Sequence, residues 1–104
     1  MYFLRALQAI LLNAVVATGA GSAVVVAGFR TFTFYVEASG ITSGGTMKLQ
    51  ALAPSGNWVD IDSRAITANG NYIVTCQAGF TQIRANLSAR TDGTYTVSCD
   101  FIEA

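Results

Sequence analysis

A nucleophile with its base is the first chemistry to look for, and this sequence offers little to build one. There is no His in the 104 residues, and the two thiols are Cys76 and Cys99. Cys76 shares parity with Tyr72 and Val74, and Cys99 with Tyr95, Val97 and Phe101. Such alternation turns both toward a core, where a free Cys behaves as a small hydrophobe. Two Cys permit a disulfide without implying one; the reading taken is reduced and buried. Without an imidazole, triads of the Ser–His or Cys–His kind have no base. Acid–base work would fall to carboxylates. Asp60 and Asp62 stand at i, i+2 on one strand face, which is ordinarily a solvated edge. Asp60, Asp62, Asp92 and Asp100 lack the dense Asp/Asn/Gly spacing of a calcium loop. Gly19-Ala20-Gly21 leads into a β-branched run rather than a helix, so it is no phosphate cradle. The expectation is no enzyme, no metal and no cofactor.

Aromatic residues carry what recognition chemistry remains. If Val59 and Ile61 face a core, Trp58 points outward with Asp60 and Asp62. An outward Trp can anchor a protein interface, stack on a sugar ring, or fold over the Pro54–Asn57 loop. Tyr35 and Phe29 fall on the outer parity of the run Phe29–Glu37, whose other parity holds Phe32, Phe34 and Val36.

The elements that must position these residues read as strands. Gly44–Ala53 and Trp58–Ile61 flank Pro54-Ser55-Gly56-Asn57, a hairpin with a longer loop. Pro54 pre-sets φ for a turn and Gly56 tolerates positive φ. Further strands are predicted at about 10–17, 23–26, 29–37, 72–76, 80–87 and 94–102. Asn69-Gly70 is the strongest short-range hairpin dipeptide, and Asp92-Gly93 is another turn. Seven or eight strands with turn signals every ~8–12 residues predict an all-β, antiparallel sandwich or jelly-roll-like fold. The expected core is Phe32, Phe34, Val36, Met47, Leu49, Val59, Ile61, Val74, Ile83, Leu87, Val97 and Phe101.

The length fits one domain, able to bury roughly 65% of its unfolded surface. Residues 1–9 are expected to form an N-terminal arm and 10–104 the sandwich; a short amphipathic helix over 2–12 is the alternative. The apolar run after Arg5 is like a signal peptide, but Gln8 and Asn13 interrupt it and the chain starts at Met1. It is too short and too interrupted for a transmembrane helix. Six basic and six acidic residues cancel, which argues against nucleic acid and gives no electrostatic reason to sit on an anionic membrane. Charged residues make up only 12% of the chain and hydrophobic ones 52%, against about 25% charged in ordinary soluble domains. Either Thr, Ser, Asn and Gln keep the surface soluble, or much of it is buried against other subunits.

Five motifs occur in order: Gly44-Gly45-Thr46, Ser55-Gly56-Asn57-Trp58-Val59, Ala68-Asn69-Gly70-Asn71-Tyr72, Ile83-Arg84-Ala85-Asn86-Leu87 and Asp92-Gly93-Thr94-Tyr95-Thr96-Val97. Together, over roughly Leu11 to Ile102, they resemble small β-sandwich structural proteins of tailed bacteriophages. The usual text of that group is Asp-Gly-Thr/Ser-Asn-Trp; here it is Pro54-Ser55-Gly56-Asn57-Trp58, so the Asp is missing, which touches loop geometry only. The resemblance implies a non-enzymatic virion protein, assembled in the host cytoplasm. It would be a capsid decoration (cement) protein binding the major capsid protein and copies of itself, as a trimer. A head–tail or tail subunit, or a glycan-recognition module, is the alternative. The partner-interface residues expected are Tyr2, Phe3, Leu4 and Leu7 in the arm, with Tyr35 and Trp58.

Overall fold

The computed structural model describes residues 5–104. Among them nine strands and no helix occur: β1 (Ala6–Val15), β2 (Gly19–Ala20), β3 (Val24–Val25), β4 (Thr31–Ser39), β5 (Gly45–Leu52), β6 (Trp58–Ile66), β7 (Gly70–Gln77), β8 (Gln82–Arg90) and β9 (Thr94–Ile102). They form two antiparallel sheets. The first has the order β1-β9-β4-β7; the second has the order β2-β8-β5-β6, with β3 also pairing with β8. The fold is the small β-sandwich that the strand pattern predicts.

Alternation builds the core. On β4, Phe32, Phe34 and Val36 are fully buried; so are Met47 and Leu49 on β5, Ile83, Ala85 and Leu87 on β8, and Tyr95 and Val97 on β9. An aromatic cluster fills one end of the sandwich. Phe29 meets Phe101 edge-on at 4.8 Å between ring centroids, and Phe32 lies 5.1 Å from Phe80. Phe29 therefore departs from the outward position expected of it. It precedes β4, so strand parity does not govern it, and it is buried.

Two irregularities redirect other side chains. On β1 the register with β9 shifts between Ile10 and Leu12, and the bulge lets the consecutive Leu11 and Leu12 both enter the core. On β6, Leu49 pairs with Asp62 but Gln50 pairs with Asp60, leaving Ile61 as the extra residue. Beyond it the parity reverses. Asp62 stands opposite Leu49 and Arg64 opposite Met47, both on the inward side, and Ile66 is buried. The common outward face expected for Asp60 and Asp62 is thus not formed. Val59 keeps the inward side but is 55% exposed, because β6 edges one sheet and β7 the other and they leave this flank open. Ile61 and Val74 are half-buried there.

Connections differ from local expectation in one respect. Among the described strands, only β5–β6 is a hairpin of sequential neighbours; β6–β7 and β8–β9 cross between the sheets. Asn69-Gly70 turns the chain from one layer to the other instead of closing a hairpin. The Asn69 side chain accepts the Ile41 amide at 2.7 Å. At the N-terminus the expected boundary between residues 9 and 10 falls inside β1, which pairs with β9 from Ala6↔Ile102 onward. No helix is long and apolar enough among the described residues to cross a membrane.

Candidate functional site

The outward face of the second sheet carries a connected polar chain. On β8, β5 and β6, Arg84, Gln50 and Asp60 stand side by side in the register. The Arg84 Nε donates to Gln50 Oε1 at 2.8 Å, and Gln50 Nε2 donates to Asp60 Oδ1 at 2.9 Å. Lys48 Nζ approaches the other Asp60 oxygen at 3.7 Å. One row along, Trp58 pairs with Leu52, and the Arg84 guanidinium lies 4.3 Å above its ring centroid. The arginine keeps its charge while covering the indole, a cation–π contact. Trp58 is outward as expected, but half-buried, and Arg84 occupies one face of its ring.

The outward face of the first sheet is different. One row crosses all four strands: Ile10 on β1, Ser98 on β9, Tyr35 on β4 and Ile73 on β7. Ile10 is 64% and Ile73 59% exposed. Tyr35 donates its hydroxyl to Asp100 Oδ2 at 3.0 Å, and this bond to a carboxylate raises the Tyr35 pKa. Around the row lie Thr33, Thr75 and Thr96, with Glu37 and Asp100 as the acidic groups.

At the open flank, Ala51, Pro54, Val59, Ile61 and Phe80 line an apolar groove of about 530 Å³. Nearby on the inward side, the Arg64 guanidinium sits 4.0 Å from the Tyr72 ring centroid and 3.8 Å from Asp62 Oδ1. The Tyr72 hydroxyl and Asp62 Oδ2 are buried with no hydrogen-bond partner. Burial, helped by Asp62, pushes Tyr72 up to about 12. At the opposite end of the strands, Asp92 accepts amides from Thr42, Ser43 and Gly44. Those bonds hold its carboxyl below the usual range.

Both Cys are free. Burial pushes the Cys99 thiol up to about 12 and raises Cys76 as well, so both are protonated at neutral pH. Among the described residues no three His, Cys, Asp or Glu side chains converge as metal ligands.

Of the expected interface residues, Tyr2, Phe3 and Leu4 lie outside the described residues. Leu7 is opposite Phe101, so it leans to the core side of β1, where it is half exposed. Tyr35 and Trp58 are on outward faces of different sheets and do not form one patch. Sequence reading missed the chain Arg84–Gln50–Asp60. Its signal is a polar parity shared by β5 and β8, legible only once those strands are known to be neighbours.

No family model matches the sequence, and no curated protein does. The fold has matches among solved structures. The SPBc2 prophage-derived protein YomS superposes with a TM-score of 0.71 at 18% identity, covering 98% of this chain and 96% of that one. A chain of the Bacillus endospore appendages, described as a family of disulfide-linked pili, gives 0.52 at 10% identity, covering 96% and 89%. The chain thus shares its sandwich, nearly end to end, with a prophage-derived protein.

Proposed function

We propose that this protein is a non-enzymatic structural component of a tailed-phage particle, and that its role is capsid decoration. The observation that carries the reading is the end-to-end likeness of fold to a prophage-derived protein. It supports a phage-related small β-protein; the finer role rests on the ordered motifs and on the surface. The charged fraction is 12%. The outer face of the first sheet is a field of Thr and Ser around Ile10, Tyr35 and Ile73. Such a face loses little by leaving water against a neighbour, because few charges need desolvation. A subunit that binds only the assembled lattice stabilises it by mass action. The major capsid protein and other copies of this chain are its partners in this reading. The N-terminal segment from Tyr2 to Leu7 and the outward Tyr35 and Trp58 supply contacts. A head–tail or tail subunit is the second reading, favoured by the likeness to a chain of the pili-forming endospore appendages. Recognition of a glycan through Trp58 loses ground, since Arg84 already covers one ring face.

The test is quantitative mass spectrometry of purified particles from a phage encoding this chain, with antibody labelling in electron micrographs. Decoration requires copy numbers in simple ratio to the major capsid protein and label over the head. Label confined to the tail would select the second reading. Absence from purified particles would overturn both.

A further inference from the structure

Each sheet of a sandwich has two edges, and exposed edges invite other strands unless they are blunted. Three of the four are blunted here. The β2/β3 edge consists of two-residue strands. The β1 edge is broken by two register shifts, and Ala14 on it has a positive φ of 49°. The β6 edge has a bulge and carries Asp60, Asp62 and Arg64. The fourth edge is β7. It runs unbroken against β4 from Ala38↔Gly70 to Thr31↔Gln77, with no bulge, no Pro and no charged residue in Gly70–Gln77.

The ladder tells which backbone groups that edge presents. The Ala78 amide donates to the Arg30 carbonyl at 2.9 Å, one step past the Thr31–Gln77 pair. Antiparallel pairs alternate between bonded and non-bonded. The amides and carbonyls of Tyr72, Val74 and Cys76 therefore face β4. Those of Asn71, Ile73, Thr75 and Gln77 face away from it.

We propose that β7 pairs antiparallel with β7 of a second copy about a two-fold axis, joining the first sheets of two molecules into one continuous sheet. The occupant follows from the strand's self-complementarity. With Val74 opposite Val74, Asn71 meets Gln77, two side-chain amides able to bond each other. Ile73 meets Thr75, a β-branched pair of the kind that stabilises sheets. Tyr72 meets Cys76 on the inward side. The strand brings no charge to this pairing, so self-apposition places no like charges opposite. All four residues with outward backbone groups find partners with the same requirement, and no other centre of the strand uses them all. The pairing is isologous and closes at two. It goes beyond the virion reading and does not rest on it; it replaces the trimer that the resemblance implies with a dimer in solution.

The test uses the purified full chain in sedimentation velocity over a wide concentration range. The wild type should show a concentration-dependent monomer–dimer equilibrium. Ile73→Lys puts a charge on a 59% exposed position and should shift the midpoint at least tenfold upward in concentration while the circular dichroism spectrum is unchanged. Val74→Cys is a small apolar change at a half-buried inward position, and mild oxidation should give a covalent dimer, because directly opposite non-bonded pairs have Cα atoms near ~4.5 Å. A wild type that stays monomeric at its solubility limit overturns the proposal. So does an oligomer that Ile73→Lys leaves intact, or a dimer of the Val74→Cys variant that oxidation fails to cross-link.

Discussion

Removing the Tyr72 hydroxyl should not weaken this protein, and the reason lies in its surroundings. The phenol oxygen is buried without a hydrogen-bond partner, as is Asp62 Oδ2, whose carboxylate also raises the phenol pKa. An unsatisfied buried group costs roughly 1–3 kcal/mol. Tyr72 is only half-buried as a residue, so the lower end applies. Tyr72→Phe keeps the ring, and with it the Arg64 contact at 4.0 Å. The expected gain is about 0.5–1 kcal/mol, or ~2–8 °C in Tm for a domain of this size. Urea melts with matched m-values are the assay. The pH dependence supplies a second readout. Burial, then Asp62, raises Tyr72 from 10.0 to about 12. A raised folded pKa means that the native state resists losing the proton. Its contribution is therefore full below pH ~10 and is lost as pH rises from there toward ~12. At ~1.4 kcal/mol per pH unit, and with water at a half-buried ring screening the effect, the loss is about 1 kcal/mol. Cys99 titrates in the same alkaline range, so the quantity to measure is the difference between wild type and Tyr72→Phe. That difference should widen in favour of the variant above pH 10. A variant less stable by 1 kcal/mol at pH 7, with no alkaline divergence, would refute the reasoning and show that the hydroxyl has a partner.

The remaining expectations concern packing, a loop clamp and the aromatic stack. Leu49→Ala should cost about 2–5 kcal/mol in chemical denaturation, since Leu49 is wholly buried between sheets, whereas Val59→Ala should stay within ~0.5 kcal/mol because Val59 is largely in water. Asp92→Asn should loosen the Thr42–Gly44 loop in hydrogen exchange. Because the Asp92 pKa is lowered by those amides, its stabilisation is present above its unfolded pKa and lost as pH falls through the folded value, so the variant's acid melting limb should be shallower. Arg84→Ala should expose the only Trp, Trp58, giving a red-shifted emission, and should cost about 1–3 kcal/mol, since it removes the cation–π contact and also the donor to the buried Gln50 Oε1.

The strands of this protein were legible because their side chains alternate. Phe32, Phe34 and Val36, or Val97, Cys99 and Phe101, read as one face without knowledge of any neighbour. Parity is a local property, so it survives whatever the chain does elsewhere. The hairpin over Pro54–Asn57 was equally local. What tertiary structure decided were the choices that depend on a partner strand. The β6 bulge at Ile61 turned Asp62 and Arg64 inward, and nothing in the text Trp58–Ile66 marks where an extra residue will be inserted. Asn69-Gly70 fixed a turn but not which sheet the next strand would join. Val59 has the parity of a core residue, yet the flank between β6 and β7 is open, because both are edge strands. Phe29 is buried from outside any strand. The free edge of β7 likewise belongs to no single stretch of sequence. A run such as Asn71–Gln77 says only that it is a strand; that no strand among the described residues lies on its far side is set by the order β1-β9-β4-β7.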